Sequence, residues 1–129
     1  MYLNWDAFYT QNYSDYGLPS LLGQTHSGAK INANLNTDDT NSIGGLGAFG
    51  INLNDTMIFE LGIGYRQDKN SELLDDFDPT LSVYGQLPIT LINGFYLTPE
   101  IGYYNFMKDG NGGKEGDLLY VGAKWEMNF

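Results

Sequence analysis

Apolar and polar residues alternate along much of this chain, most regularly between residues 119 and 129. Every second residue from Leu119 to Phe129 is apolar, and the residues between them are polar, small or amphipathic. A period of two predicts a β-strand with one apolar and one polar face. The segment also matches the roughly 9–11 residues with which a tilted strand crosses a bilayer.

The same alternation predicts strands elsewhere in the chain, at residues 2–13, 28–37, 43–53, 57–67, 80–87 and 95–106. Pro99 lies inside the strand predicted at 95–106 and counts against it, unless it marks a bulge. Loops and turns are expected between the strands, at 14–27, 38–42, 54–56, 68–78, 88–94 and 107–116. The chain is therefore predicted to be all-β.

Composition narrows the class of protein. At 129 residues the chain is expected to form one domain, 1–129. Its net charge of −10, from 16 acidic and six basic residues, argues against nucleic acid as a partner. No cysteine is present, so disulfides and thiolate metal sites are excluded. The chain contains no apolar run long enough for a transmembrane helix, and its start does not read as a signal peptide.

The C-terminal strand carries the most specific pattern. With its alternating apolar residues, Tyr120, Trp125 and a final Phe129, the chain resembles bacterial outer-membrane β-barrel proteins, and in particular the small barrels of the OmpA, OmpX and opacity type. The resemblance implies a closed, antiparallel, up-and-down transmembrane β-barrel in the bacterial outer membrane. It also implies contact with outer-membrane lipid, and insertion by a barrel-assembly machinery that reads a terminal signal, here Trp125 and Phe129.

Seven strands are predicted, whereas barrels of this type have an even number. We expect eight, with the eighth strand either within 14–27 or missing from the N-terminal side. Counting connections back from Phe129 divides them between the two sides of the membrane. This count places 38–42, 68–78 and 107–116 on the extracellular side and 14–27, 54–56 and 88–94 on the periplasmic side. A periplasmic segment as long as 14–27 departs from the usual pattern of short turns on that side.

Charged residues fall on the polar faces of the predicted strands. They are Lys30, Glu60, Arg66, Glu100, Lys124 and Glu126. The interior of an eight-stranded barrel is just wide enough for side chains to fill, and buried charges need partners. These six residues are therefore predicted to form an ion-pair network inside the barrel. A narrow, gated pore is the alternative.

Motifs for catalysis, nucleotides and metals have weak support. His26 and Ser27 are adjacent and would point to opposite faces of a strand. Gly45 to Gly50 spells G-x-G-x-x-G within a predicted strand, not before a helix. The acidic residues of 109–117 match an EF-hand loop poorly, since Gly113 and Tyr120 occupy ligand positions. No enzyme activity, cofactor or metal site is expected.

The acidic loop 68–78 is the most interesting connection. Its carboxylates could bind divalent cations or a basic partner, although such runs are usually only solvated. Apolar residues in an exposed loop can mark a contact surface, and this loop contains Leu73, Leu74 and Phe77. The expected function is therefore structural, or adhesion and partner binding through extracellular loops. The alternatives are a narrow channel for ions or small solutes and a soluble β-barrel carrier similar to lipocalins.

Overall fold

The computed structural model describes residues 1–12, 30–31, 37–70 and 76–128. These residues form β-strands and connections, and none of them is helical. The strands are β1 (Tyr2–Gln11), β2 (Lys30–Ile31), β3 (Thr37–Asp38), β4 (Thr40–Asn52), β5 (Ile58–Asn70), β6 (Asp78–Gln86), β7 (Ile89–Ile92), β8 (Phe95–Asn105) and β9 (Asp117–Met127). The predicted all-β class is confirmed for this part of the chain.

One antiparallel sheet contains all the strands except β2 and β3. Its order is β1, β4, β5, β6, β8, with β9 on the other side of β8 and β7 continuing the position of β6. In the described part of the chain, β1 and β9 are each paired on one side only, so this sheet is open. The described residues therefore do not form the closed, eight-stranded barrel that was predicted.

β6 and β7 form one strand that is interrupted at Leu87 and Pro88, next to Pro99 of β8. Gln86 pairs with Glu100 and Ile89 pairs with Leu97, so the register is unchanged across the gap. The amide of Leu87 donates to the carbonyl of Pro99 at 3.0 Å, but Pro99 has no N–H to return the bond. Pro88 likewise accepts from the amide of Ile58 at 3.0 Å and donates nothing. When β6 and β7 are counted together as one strand position, the sheet has six strand positions across its width.

The predicted turn at 88–94 is therefore mostly wrong. Residues 89–92 belong to β7, and the reversal is a two-residue turn at Asn93 and Gly94, where Gly94 has a φ of 82°. A positive φ of this size favours glycine, which has no Cβ to clash. Proline and glycine in this segment indicated a turn, but Pro88 lies at a position where the strand continues.

The predicted strand at 28–37 is also wrong. Ile31 pairs antiparallel with Thr37, so the chain reverses direction between them and 28–37 cannot be one strand. β1 pairs directly with β4 instead, from Tyr2 opposite Gly50 to Gln11 opposite Asn41. The remaining residues of that prediction, and those of 14–27, lie outside the described part of the chain.

The six strand positions divide the connections by length. The tight turns that follow β4 and β7 lie at one end of the sheet, here called the turn end, together with Met1 and Asn128. The longer connections that follow β1, β5 and β8 leave from the opposite end, called the loop end. Because β1 neighbours β4, the connection containing 14–27 starts at the loop end. The residues 14–27 themselves lie outside the described part of the chain, so their placement with the short turns stays a prediction.

The two faces of the sheet differ in chemistry and in exposure. One face, called the apolar face, carries large hydrophobic side chains from every strand position. Examples are Leu3, Phe49, Leu61, Val83, Ile101 and Val121. Leu61 is 49% exposed and Val121 is 78% exposed. The other face, called the polar face, carries the buried residues, and Ala48 is the only buried hydrophobic residue among those described.

Candidate functional site: the polar face

The polar face is organised around Glu60. This side chain is 9% exposed and accepts three hydrogen bonds from neighbouring strands. Tyr84 Oη donates to Glu60 Oε1 at 2.9 Å, Gln86 Nε2 donates to the same oxygen at 2.5 Å, and Tyr2 Oη donates to Glu60 Oε2. Neutral donors on β1 and β6 thus hold one carboxylate of β5. Hydrogen bonds to a charged group contribute about 1.5–3 kcal/mol each.

Glu100 repeats this arrangement two strand positions away. Tyr120 Oη of β9 donates to Glu100 Oε1 at 2.5 Å. The ring of Tyr120 also stacks on Tyr104, with centroids 5.9 Å apart. Glu60 and Glu100 lie in the same row across the sheet, with Gln86 paired between them. The row therefore presents two carboxylates and a set of phenol hydroxyls on the polar face.

A glycine two residues after each glutamate makes room for the tyrosine. Tyr84 is paired with Gly62, and Tyr120 is paired with Gly102. A Cβ at either glycine would overlap the tyrosine ring, and the same holds for Gly50 beneath Tyr2. An aromatic ring lying over a strand glycine compensates for the missing side chain. Each ring thus covers a glycine while its hydroxyl reaches a carboxylate.

This arrangement was missed by the sequence analysis. The only sequence signal is a repeated triplet, Glu60-Leu61-Gly62 and Glu100-Ile101-Gly102, each with a tyrosine on the following strand. The repeat acquires meaning only once the register is known, because the register decides which tyrosine faces which glycine.

The predicted ion-pair residues are spread over the polar face. Glu60 and Arg66 are six residues apart on β5, or about 20 Å at about 3.3 Å per residue. Arg66 Nη2 lies 3.0 Å from Asp68 Oδ2. Lys124 and Glu126 are brought together, with Nζ 2.9 Å from Oε2, but their side chains are 74% and 47% exposed. Such an exposed pair contributes about 0–1 kcal/mol. The side chain of Lys30 lies outside the described part.

A second polar cluster lies at the loop end. It comprises side chains that are at most 1% exposed, namely Thr40, Ser42, Asp68, Asn70 and Asp78. Asn70 Nδ2 donates to Thr40 Oγ1 at 3.1 Å, and the amide of Thr40 donates to Asn12 Oδ1 at 2.9 Å. Asp68 and Asp78 were assigned to the ends of a solvated loop, but both belong to strands and are paired with each other. The alternation was too weak there to place them.

Only some of the residues predicted for loop contact and for assembly lie in the described part of the chain. Phe77 is 46% exposed, with Lys69 Nζ 5.5 Å from the centre of its ring, whereas Leu73 and Leu74 lie outside the described residues. Trp125 is 77% exposed on the apolar face of β9, and Phe129 lies outside them, as do His26 and Ser27. The glycine pattern from Gly45 to Gly50 lies within β4, as predicted.

The loop at 109–117 uses one of its acids internally. Asp109 Oδ1 accepts from the amides of Asn111 at 3.1 Å and Gly113 at 2.5 Å. A carboxylate that closes its own turn in this way has fewer lone pairs to offer an ion. This geometry favours the solvated loop over the EF-hand alternative.

Comparison of the chain with family models, curated proteins and solved structures found no match. None of the described residues belongs to a helix of the length and apolarity needed to cross a membrane. The fold and the polar face thus define an all-β chain built on one antiparallel sheet.

Proposed function

We propose that this chain is a small outer-membrane β-barrel protein whose apolar face contacts lipid. The observation that carries the proposal is the reversal of the usual burial pattern. Large hydrophobic residues are exposed at every strand position, whereas the least exposed residues include Asp68, Asp78 and Glu60. In water, exposed apolar surface costs about 25 cal/mol per Å², and soluble proteins rarely expose a continuous apolar patch of this kind. A lipid environment removes that cost.

In a bilayer the free edges of β1 and β9 must also be paired, because lipid offers no hydrogen bonds to unpaired backbone groups. The two edge strands run antiparallel, since the sheet has an even number of strand positions. Their apolar faces also lie on the same side. Both features support the closure of this sheet into an antiparallel barrel.

The proposed role is structural, or partner binding through the connections of the loop end. Long extracellular loops and short periplasmic turns are usual in such barrels. The proposed position of the exposed Phe77, at the loop end, is therefore outside the membrane. Outer-membrane lipid, the assembly machinery and a surface partner are the proposed partners. The rings of Tyr2, Tyr84 and Tyr120 occupy the polar face and favour a non-conducting interior. A soluble carrier would need its apolar lining on the sheltered face, which here is polar.

The proposal is tested with the purified chain. We expect it to remain soluble only with detergent, to float with lipid vesicles after refolding, and to migrate faster unheated than boiled in a denaturing gel. A chain that stays monomeric and folded in buffer without detergent would contradict membrane insertion.

A further inference from the structure

A groove lies on the apolar face around Gly85 of β6. Gly85 is paired with Leu61 of β5 on one side and with Ile101 of β8 on the other. Val83 and Leu87 lie two residues before and two residues after it, on the same face. A Cβ at Gly85 would meet nothing within 4 Å. Four apolar side chains therefore surround a position that has none, and the groove between them has a volume of about 710 Å³.

The other glycines on the apolar face of the described strands leave less room. A Cβ at Gly45 would lie 2.9 Å from the carbonyl oxygen of Asp6, and a Cβ at Gly47 would lie 3.9 Å from that of Asn4. Gly85 is thus the glycine on this face, among the described residues, whose missing side chain nothing replaces.

The groove extends from the polar boundary of the apolar face toward its middle. Tyr103 and Leu119 are paired and line the groove on its loop-end side. One row further toward the loop end, Asn105 is paired with Asp117, and Asn105 Nδ2 donates to Tyr103 Oη at 3.4 Å. Pro99 lines the groove in the other direction. It is four residues from Tyr103 on β8, or about 13 Å at about 3.3 Å per residue. One end of the groove is therefore polar and the other is apolar.

We propose that this groove binds one hydrocarbon chain of a lipid whose headgroup lies at the loop end. The inference rests on the proposed function, which brings hydrocarbon against the apolar face. A lipid has a polar end and an apolar end in the same order as the groove, and its chain needs no hydrogen bonds. A strand or loop of a second protein would bring backbone N–H and C=O groups, which the side chains of Leu61, Val83 and Ile101 cannot satisfy. Because lipid tails are as apolar as these side chains, the binding comes from the contacts that fill the groove.

The test uses the full chain, refolded in detergent and titrated with dimyristoylphosphatidylcholine. Native mass spectrometry counts the lipid molecules on each chain and gives the affinity of the first one. Gly85→Leu fills the groove and should weaken the first lipid about tenfold, because on the order of ten carbon–carbon contacts are lost. Gly47→Leu is the matched control, since it adds the same side chain to the apolar face outside the groove. It should bind the first lipid as the wild type does.

Three outcomes would overturn the proposal. Gly85→Leu could bind the first lipid as tightly as the wild type does. Glycerophosphocholine, which has the headgroup without the chains, could displace the lipid. The wild type could form a dimer that Gly85→Leu abolishes, which would show that a second copy fills the groove.

Faster migration of the unheated Gly85→Leu chain in a denaturing gel checks that the variant folds. Gly85→Ala adds only a methyl group to open space and should weaken the first lipid less than leucine does, so it provides the comparison if Gly85→Leu does not fold. The lipid count is separate from the test of membrane insertion. A chain that needs detergent but binds the first lipid equally well with Gly85→Leu would contradict the groove alone, whereas a folded monomer in buffer without detergent would contradict insertion.

Discussion

Tyr84 and Tyr120 show how much depends on single residues in this sheet. Each ring lies over a glycine of the neighbouring strand and each hydroxyl reaches a glutamate two residues away from that glycine. A glycine in a strand interior ordinarily weakens the strand. Here Gly62 and Gly102 are positions where the close approach of a ring requires the absence of a Cβ.

Gly102→Ala should therefore destabilise the fold, because the added methyl group overlaps the Tyr120 ring. Overpacking of this kind costs about 1–3 kcal/mol. Gly122→Ala is the matched control, since a Cβ at Gly122 would meet nothing within 4 Å. It should be neutral or stabilising by up to about 1 kcal/mol. Urea unfolding of the two variants in detergent measures the difference, and equal effects would contradict the proposed role of Gly102.

Glu60→Gln should also be costly, although it changes one atom. Tyr2, Tyr84 and Gln86 all donate to the carboxylate, and an amide offers one acceptor where the carboxylate offers two. Leaving a buried donor unsatisfied costs about 1–3 kcal/mol. Glu126→Gln is the control, because its partner Lys124 is 74% exposed, and it should cost under about 1 kcal/mol. Urea unfolding in detergent measures the free energy of unfolding of both variants. A Glu60→Gln chain as stable as the Glu126→Gln control would contradict the role given to the Glu60 carboxylate.

At the scale of the strands, alternation predicted most of the sheet. β1, β5, β8 and β9 lie within a few residues of their predicted limits, because each has one apolar and one polar face. The failures have a common physical cause. A period of two identifies an extended segment but not its partner, so 28–37 was taken for one strand although Ile31 and Thr37 pair with each other. Pro88 was taken for a turn because the continuous register beside Pro99 is not visible in the sequence.

A substitution on the apolar face of one strand, β5, tests whether that face contacts lipid. Leu61 lies on this face in the middle of β5, paired with Phe49 and Gly85. If that face contacts lipid, Leu61→Arg should reduce the folding free energy in lipid by about 2–4 kcal/mol. Gln67→Arg is on the same strand and face but near the loop end, where the cost should fall to about 0–1 kcal/mol. Refolding into vesicles at graded urea measures both, and equal costs would argue against a lipid-facing belt.

At the scale of the whole molecule, the all-β class predicted from the sequence is confirmed for the described residues, whereas the predicted closure into a barrel stays a prediction. The site on the polar face was not predicted. The distribution of long and short connections became regular only when β1 was found beside β4. The glutamate row and the aspartate pair depend on register across three or more strands. Register is set by side-chain packing and turn geometry together, and the sequence carries these only as weak, distributed preferences.

Closure of the sheet can be tested because the chain has no native cysteine. Asp6 on β1 lies in the row that reaches β9 at Leu118. If the strands tilt and close into a barrel, Asp6 of β1 lies beside a residue of β9 that is displaced along the strand from Leu118. This displacement is the shear of the barrel. The shift must be even to keep the polar faces together. Asp6→Cys should therefore form a disulfide with a cysteine at one of three polar-face positions of β9, namely Gly122, Lys124 or Glu126.

A disulfide requires Cα atoms about 4.4–6.8 Å apart, so we expect one of the three pairs to cross-link within a single chain after refolding into lipid. Asp6→Cys with Val121→Cys is the control, since Val121 lies on the opposite face and should not react. Mass spectrometry of the oxidised, trypsin-digested protein identifies the bond. Disulfides only between chains would show that a second copy completes the wall. No disulfide in any pair would show that further strands lie between β1 and β9, because edges of that length cannot stay unpaired in lipid.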